Sequence, residues 1–480
     1  MRLPLGFLGA GAFVAGIALQ STPYFLPILT LAVGAGLVAA ISEWNWRPLA
    51  LTGALILLAL VGVLRAGGHD SYPQGPPQLS ETETFSGIVI DVPRVYPTRS
   101  FSRVDITEPA ESRVWVEFPA YPAIEQGDLV DVHGVFTPNE QTSYRGFAAQ
   151  RDTTGVLTVE RVSIGENQAT GAQRLRSDIA GSMSRTLRER IPDPAGAFAT
   201  GVVLGDDGAM TEATRDSFRV GGLTHMTAVS GVHVGIVAAG LMLVSNLGLV
   251  NKWVMLAVSL PVVWSFAYLV GMRPSVVRAS IMLTLLVIAH FLGRPRDTLN
   301  AVGLAAASML AWDPAFRHDI GFQLSVAATC GIAIGVLLIG GRSHWHLLWV
   351  VPTSAQLATE PLVLYHFGYY SLVSPFANIL ATPFLAFAMA LSLLTILAGM
   401  VSSGLADILA LAAWVPAMAV VVIADFVSQI PYLSDDVSPL SRAGVWSAYA
   451  ILGGLVTIAF LLIEPAPEDQ HPDYSVVYRV

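Results

Sequence analysis

Long apolar runs constrain the fold of this chain more than any other feature of its sequence. The mean hydropathy is +0.59, and 13% of the residues are charged, whereas about a quarter are charged in an ordinary soluble domain. Most runs approach or reach the roughly 20 residues that a helix needs to cross a bilayer. The sequence therefore predicts a polytopic α-helical membrane protein with about 11 or 12 apolar segments, of which short ones such as 298–312 are candidate re-entrant segments. The runs lie near residues 6–20, 24–41, 48–65, 222–245, 252–270, 275–292, 298–312, 320–340, 346–365, 375–400, 405–429 and 443–463.

Arginines flank these runs unevenly. Arg2 and Arg47 border the first three runs, and Arg65 ends them. Because cytoplasmic loops carry the excess of Lys and Arg, this pattern predicts that the chain leaves the third run outside the cytoplasm. The first run is followed by another run and not by a small-residue cleavage site, so it is interpreted as an anchor. If the later runs also cross, Arg294 and Arg342 face the cytoplasm, in agreement with the same rule.

Between residues 66 and 168 the apolar runs give way to a polar segment with short alternating stretches. Apolar and polar residues that alternate between turn signals are typical of half-buried strands. Five strands of this length fit the small, partly open OB barrel. The sequence therefore predicts an OB-like β-barrel inserted on the extracytoplasmic side. The stretches are Phe85–Val92, Arg103–Thr107, Ser112–Phe118, Asp128–Phe136 and Thr154–Val162.

The predicted barrel is acidic. Residues 66–168 hold 7 Arg against 15 Asp and Glu, a net charge of −8, and the whole chain has a net charge of −9. This sign excludes the capture of nucleic acid by bulk electrostatic attraction. One local cluster of arginines with interleaved aromatic residues is a candidate DNA-contacting patch on which bases could stack, although a solvated hairpin is the simpler alternative. The cluster consists of Arg94, Arg99, Arg103, Tyr96 and Phe101.

A basic amphipathic stretch follows from Ala172 to Ile191. Its apolar residues recur every four positions with arginines between them, which predicts a helix. This helix either lies on the membrane surface or packs beneath the barrel and presents arginines to a polyanion, and we favour the structural, interfacial role. The predicted domains are 1–65 (amino-terminal transmembrane helices), 66–168 (β-domain), 169–220 (basic helix and connector), 221–463 (transmembrane domain) and 464–480 (acidic tail).

Three polar residues stand out in the uncharged run from 221 to 249, namely His225, Ser230 and His233. Polar groups inside a membrane usually face a bundle interior or a wet cavity, although hydrogen bonding between packed helices is an alternative. On one continuous helix Ser230 and His233 share a face and His225 is displaced by about 80°. This spacing favours a lined path over a three-ligand metal site. Prolines in the later runs predict helix breaks that also suit a path, at Glu360-Pro361, Ser374-Pro375 and Thr382-Pro383.

The segment around these residues closely resembles the signature of the ComEC family of competence membrane proteins. The similarity is carried by Asp216–Val220, Gly222–His225 and Ala228–Gly235, and further similar stretches follow in the family's order. It covers residues 195–463 by motif, and the leading runs and the barrel by pattern. The later stretches are Arg278-Ala279 with Met282, Asp313-Pro314, Gly321–Ser325 with Ala327, and Ser374-Pro375 through Asn378 to Pro383.

The resemblance implies a channel in the bacterial inner (cytoplasmic) membrane through which one strand of transforming DNA enters the cytoplasm. It implies single-stranded DNA and membrane lipid as partners, together with a separate DNA receptor, motor ATPase and nuclease, and it allows a homo-oligomer. The sequence has no phosphate-binding loop of the form GxxxxGK[ST], so the energy must come from elsewhere. We expect Arg278 to meet phosphates, with pairing to a buried residue such as Glu360 as the alternative. The residues expected to line or shape the path are His225, Ser230, His233, Arg278, Gln323, Ser325 and Asn378.

The chain departs from many family members, which carry a carboxy-terminal metallo-β-lactamase-like domain. Its last apolar run ends near residue 463 of 480, and His344-Trp345-His346 lacks the acidic ligand of that domain's metal motif. We therefore expect no nuclease, no cofactor and no enzymatic activity in this polypeptide. A transporter or scaffold for another solute on the same fold stays open. An intramembrane serine hydrolase built on Ser230 and His233 is disfavoured, because adjacent helical positions rarely aim their polar atoms at each other as a catalytic dyad requires.

Overall fold

The computed structural model describes residues 83–462, apart from residues 92, 96–98, 110, 120, 139–152, 154, 247–250, 292–297, 340–343 and 431–433. The three apolar runs predicted within residues 1–65 and the acidic tail 464–480 lie outside the described residues. The loop arginines Arg294 and Arg342, which support the predicted orientation, lie outside them as well.

The polar segment folds into a closed small β-barrel, as predicted. The strands are hydrogen-bonded in the order β1-β5-β6-β4-β3, and a pairing between β1 and β3 closes the ring. Alternate residues of β3 are buried, which is the pattern of a strand with one face toward a core. Phe85, Val116, Phe118 and Leu157 belong to the apolar core inside the barrel. The strands are β1 (Glu83–Val89), β2 (Arg94–Val95), β3 (Arg99–Glu108), β4 (Ser112–Pro119), β5 (Asp128–Pro138) and β6 (Gly155–Asn167).

Several strands extend beyond the alternating stretches of the sequence. Strand β3 begins at Arg99 instead of Arg103, and β6 runs to Asn167 instead of Val162. The extra length comes from strand pairing. Strands β5 and β6 stay paired from Asp128 opposite Asn167 to Pro138 opposite Gly155, and two register shifts along this ladder interrupt the alternation of apolar and polar residues. A bulge of this kind shifts side chains to the other face of the strand, so a period-2 pattern underestimates strand length.

The basic amphipathic stretch forms helix α1 (Gly171–Arg190), as predicted. Its start is defined by a capping box, because the Thr170 side chain accepts from the Gln173 backbone and the Gln173 side chain accepts from the Thr170 backbone. Helix α2 (Ala195–Leu204) was not predicted, and all ten of its residues are buried. A short run that is apolar on every side has no period to recognise. Helix α3 (Glu212–Val220) then leads into the segment that carries the family signature.

The transmembrane domain predicted for 221–463 is helical throughout most of its described residues. Five helices are long and apolar enough to cross a membrane, and several shorter apolar helices accompany them. The predicted fold class, a polytopic helical membrane protein with an inserted OB-like barrel, is confirmed. The helices are α4 (Thr224–Thr227), α5 (Gly231–Asn246), α6 (Lys252–Leu269), α7 (Pro274–Phe291), α8 (Thr298–Trp312), a 3-10 turn (Pro314–His318), α9 (Ile320–Ile339), α10 (His344–His366), α11 (Ser374–Gly399), α12 (Ser403–Ser428) and α13 (Arg442–Leu462).

Two expectations about helix continuity are wrong. The run 222–245 is not one helix, because α4 ends at Thr227 and α5 starts at Gly231, with Ala228 extended between them. The breaks predicted at Pro361 and Pro383 do not occur, since α10 and α11 run through these prolines. Neighbouring helices can satisfy the backbone groups that a proline frees, so proline alone does not end a membrane helix.

The break predicted at Ser374-Pro375 is present. Pro375 stands at the start of α11, and a short strand β7 (Tyr369–Ser371) precedes it. This strand pairs antiparallel with β8 (Ser434–Asp436), which follows α12. The ends of α10 and α12 therefore lie on the same side of the helical domain.

Helix α1 joins the barrel to the helical domain. Arg176 is buried, donates to the Gln126 side chain at the base of the barrel, and lies 5.8 Å above the Tyr268 ring at the end of α6. At the other end of α1, Arg190 pairs with Asp407 at the start of α12. The structural role favoured for this helix agrees with these contacts.

Helix α1 also constrains how the domain can sit in a membrane. Its 20 residues span about 30 Å, from the α6–α7 turn to the α11–α12 turn. Strict alternation of crossings would put these two turns on opposite faces of the membrane. Charged residues that reach solvent nevertheless occur along the whole helix, which suits a surface better than hydrocarbon. They are Arg174, Asp178, Arg185, Arg188 and Glu189.

Candidate functional site

A glycine turn fixes the start of the signature segment. Gly222 adopts φ +68°, a left-handed conformation that a residue with a side chain rarely takes. A Cβ atom at this position would lie 2.5 Å from Ser374 Oγ at the start of α11. Ser371 Oγ in β7 donates to the Val220 carbonyl at 2.8 Å. The end of α3 is therefore held directly against the β7–α11 junction.

His225 faces this junction from α4. Its side chain is exposed to solvent, and Asn378 and the Gly222 backbone lie close enough to interact with its ring. His225 therefore lies on the solvent-accessible surface between α4 and the start of α11, which we call the crevice. Asn378 Nδ2 in turn donates to the Ser374 carbonyl at 2.9 Å and to Ser374 Oγ at 3.2 Å. The structure thus brings together His225 and Asn378, two of the predicted site residues that are far apart in sequence.

Behind Ser374 the polar chain continues into helix α10. Ser374 Oγ donates to Gln356 Oε1 at 3.0 Å, and Gln356 Nε2 donates to Glu360 Oε2. The other carboxylate oxygen, Glu360 Oε1, is buried without a hydrogen bond. Tyr369 lies close by. The pKa of its phenol is raised, mainly by burial and in addition by the nearby charge of Glu360. We call the side chains of His225, Asn378, Ser374, Gln356 and Glu360 the α4–α10–α11 polar network.

An ion pair closes one end of this region. Arg219 in α3 pairs with Asp436 in β8 at 2.9 Å, and its guanidinium lies 5.7 Å above the Tyr369 ring. The hydrogen bond to Asp436 is the largest cause of the raised pKa of Arg219. Helix α3 is thereby tied to the β7–β8 ribbon where the signature begins.

Ser230 and His233 form a helix cap. The Ser230 backbone N–H donates to His233 Nδ1 at 3.0 Å, and Ser230 Oγ lies 3.2 Å from the same nitrogen. The expectation that these polar atoms do not face each other is wrong, because Ser230 precedes α5 and is free to turn toward its first turn, as N-cap residues do. His225 is not on this helix, but its ring is close enough to His233 for their charges to interact.

Arg278 lies where helices α5, α7 and α9 meet, and it is 5% exposed. Nη1 donates to Thr329 Oγ1 on α9, and Nη2 lies against Gly231 at the start of α5. The alternative pairing of Arg278 with Glu360 is not present, since Glu360 is bonded to Gln356 instead. The Thr329 hydroxyl donates to the Ser325 backbone carbonyl at 2.8 Å, so Ser325 belongs to the same junction.

Gln323 stands apart from both groups. Its Nε2 donates to the Arg317 carbonyl at 2.6 Å, and its Oε1 lies 2.8 Å from His366 Nε2. These bonds tie the 3-10 turn, the start of α9 and the end of α10 to one another. In this structure Gln323 therefore joins packed elements, and its place on a path stays a prediction.

The arginines predicted to contact DNA on the barrel are engaged with carboxylates. Arg103 makes two hydrogen bonds with Asp91, at 2.6 and 3.0 Å. Arg99 pairs with Glu117 at 2.9 Å and lies 5.3 Å above the Phe101 ring. The Arg94 side chain lies outside the described residues. Paired guanidinium groups attract phosphate less than free ones, so these contacts favour the solvated-hairpin alternative.

Sequence reasoning did not name Gln356, Ser374 or Thr329 as site residues, and it named Glu360 only as a possible partner of Arg278. Gln356 and Glu360 are four residues apart in an apolar run, so they share one helix face, and this spacing was available as a signal. Ser374 was noted only for the proline after it. Thr329, which holds Arg278, had no sequence signal, because hydroxyl residues are common in membrane helices. Among the described residues, no group of three or more His, Cys, Asp or Glu is placed to hold a metal ion.

Fold and site together define a polytopic helical membrane protein that carries an inserted small barrel and a polar-lined junction inside its helical domain. The family model described as "Competence protein" matches residues 202–465, more than half of the 480 residues. The chain belongs to the competence protein family.

Two curated relatives illustrate the similarity. "ComE operon protein 3" of Bacillus subtilis (strain 168) is 28% identical over 268 residues, which are 55% of this chain and 33% of that protein. "Uncharacterized protein YcaI" of Escherichia coli (strain K12) is 25% identical over 231 residues, 44% of this chain and 30% of that protein. The matched segment thus spans about a third of the length of these relatives. No solved structure matches the chain.

Proposed function

We propose that this chain forms a channel in the bacterial inner membrane for the uptake of single-stranded DNA. The observation that carries the proposal is the α4–α10–α11 polar network. It joins His225 in a crevice to Glu360 within an apolar helix. Membership of the competence protein family and similarity to a ComE operon protein support a role in DNA uptake.

The chemistry of the network suits a nucleic-acid strand of any sequence. Hydroxyl, amide and imidazole groups offer hydrogen bonds to bases and phosphates without selecting one base. Polar groups that lie at membrane depth usually do so because they line a water-filled cavity. The glycine turn at Gly222 brings the backbone close to Ser374, so the backbone next to His225 is held against the polar start of α11.

Other components follow from the same proposal. We propose that a motor ATPase supplies the energy and that a receptor and a nuclease act before entry. The barrel is acidic, and we assign it a role in positioning partners outside the membrane more than in capturing DNA. We assign residues 66–168 to the positioning of partners and residues 221–463 to the channel.

The test uses the native host with its own copy of this chain deleted and replaced by variants. His225→Ala and Asn378→Ala should lower the amount of labelled DNA that becomes resistant to external nuclease, because both remove hydrogen bonds inside the crevice. DNA bound at the cell surface should stay at the wild-type level. His346→Ala is the matched control, since His346 is exposed at the start of α10, far along the helix from Glu360.

Membrane protein level is measured beside uptake. Normal abundance with wild-type uptake in both crevice variants would remove the network from the path. A deletion strain that takes up DNA as well as the parent would reject the channel altogether and favour transport of another solute.

A further inference from the structure

Arg278 is a buried cation without a carboxylate partner. The ion pairs recorded across the described part of the chain all join other arginines. Its Nε is buried without a hydrogen bond, and Nη1 finds only a hydroxyl and, at 3.6 Å, the Met282 sulfur. A guanidinium has five donors, and a buried charge that lacks its counter-ion is strongly destabilising. In the described part of the chain, no carboxylate neutralises the Arg278 guanidinium.

The amino-terminal turn of α5 points at the same place. A Cβ atom on Gly231 would lie 3.3 Å from Arg278 Nη2. The first N–H groups of a helix have no partner within the helix. Here the Ser230 N–H donates to His233 Nδ1 and the His233 N–H donates to the Ser230 carbonyl. The N–H groups of Gly231 and Val232 also belong to this first turn, at the positive end of the α5 dipole, which is a favourable position for an anion.

His233 adds a third donor at this turn. Its side chain is fully buried, and because Nδ1 accepts the Ser230 N–H, the neutral ring carries its proton on Nε2. That Nε2 is buried without a well-formed hydrogen bond, and the Met226 backbone lies near the ring. The charged or titratable groups that act on this region are Arg273, His225 and Cys330, so no carboxylate among the described residues supplies the missing charge.

We propose that Arg278, the first turn of α5 at Gly231 and His233 form a binding site for a single phosphodiester group. The proposal rests on the channel function and states where the backbone of the strand is held. A phosphodiester carries one negative charge and two unesterified oxygens, so it can accept from the guanidinium and from the helix N–H groups together. One such site holds a strand in register and still releases it, which transport requires.

The chain contains its own reporter for this site. Cys330 is its single cysteine, it lies on α9 beside Thr329, and its thiol is close enough to Arg278 for their charges to interact. The full-length protein in liposomes is treated with the anionic 2-sulfonatoethyl methanethiosulfonate and with its cationic trimethylammonium analogue. Each rate is divided by the rate of the same reagent with a free thiol in solution.

Cys330 should react about tenfold faster with the anionic reagent, because an enclosed positive site concentrates anions. Dimethyl phosphate should slow this reaction more than equal concentrations of inorganic phosphate or chloride. Arg278→Gln should abolish the preference, and Arg278→Lys should keep part of it. Arg190→Gln is the matched control, because Arg190 lies at the end of α1 and is paired with Asp407, and it should leave the preference unchanged.

Equal rates, faster cationic labelling or a thiol inert to both reagents would overturn the site. Protection by chloride or inorganic phosphate as strong as by dimethyl phosphate would overturn its assignment to a phosphodiester. If Arg278→Gln does not fold, Gly231→Ala serves instead, because its methyl group presses on Nη2 and should reduce protection by dimethyl phosphate without removing the charge. Loss of DNA uptake in cells is measured separately, so normal anion protection without any uptake would reject the channel and leave the anion site standing.

Discussion

Replacement of Gly222 by alanine is the most direct test of the junction that holds the signature segment. At φ +68° a side chain costs roughly 1–2 kcal/mol in the left-handed region. The new Cβ would lie 2.5 Å from Ser374 Oγ, so Ser374 must move away. It would then lose its hydrogen bonds with Gln356 and Asn378, each worth about 0.5–1.5 kcal/mol. The expected loss of stability is about 2–5 kcal/mol.

The assay is thermal unfolding of the purified protein in detergent, followed by tryptophan fluorescence. Gly235→Ala is the matched control within the same signature. Nothing lies within 4 Å of a Cβ at Gly235, and alanine should stabilise this helical position by about 0.5–1 kcal/mol. Gly222→Ala should therefore unfold at a clearly lower temperature than wild type, and Gly235→Ala at an equal or higher one. An unfolding midpoint for Gly222→Ala equal to that of Gly235→Ala would show that Ser374 does not confine the turn.

Three further predictions follow from other contacts. Gly331→Ala should destabilise the protein by about 1–3 kcal/mol, because its Cβ would lie 2.5 Å from Ala358 Cβ across the α9–α10 interface. Gly240→Ala, with open space around it, is the control, and equal stability of the two variants would contradict close packing of α9 against α10. Asp206→Asn should raise stability at neutral pH, because burial raises the pKa of this carboxyl in the folded state. The stability that such a group contributes is greatest below the unfolded pKa and falls as pH rises through the folded value. The advantage should therefore vanish below about pH 3, where the carboxyl is protonated in both states, and an advantage that persists there would refute the assignment. Because the polar helix α1 touches both the α6–α7 and α11–α12 turns, the barrel and the α11–α12 turn should face the same side of the membrane. Once Cys330 is replaced, single cysteines at Tyr121 and Met400, both exposed, should be labelled by an impermeant reagent from that one side, and labelling from opposite sides would contradict a surface position of α1.

Local patterns were enough to predict the kinds of element and their order. Alternation predicted the barrel, because its strands bury one face each. The four-residue spacing predicted α1, and long apolar runs predicted α9 to α13 within a few residues, because burial in lipid is decided residue by residue along one helix. Helix α2 escaped this reasoning, since all of its faces are buried against other elements and periodicity reports only a difference between faces.

The sequence by itself also named much of the candidate site, but the tertiary structure alone decided which residues meet. His225 and Asn378 are 153 positions apart and Arg278 and Thr329 are 51 apart, and such pairs are joined by the packing of whole helices, which no local pattern contains. Packing also decided whether each arginine has a carboxylate partner. Arg99 pairs with a carboxylate on the neighbouring strand β4 and Arg103 with one just after β1, whereas Arg278 is packed against α5 and α9 without one. A sequence states which side chains carry charge and hydrogen-bonding groups. Only the fold states which of these are satisfied, because a hydrogen bond or an ion pair depends on distances of about 3 Å that are set by the assembly of all the helices together.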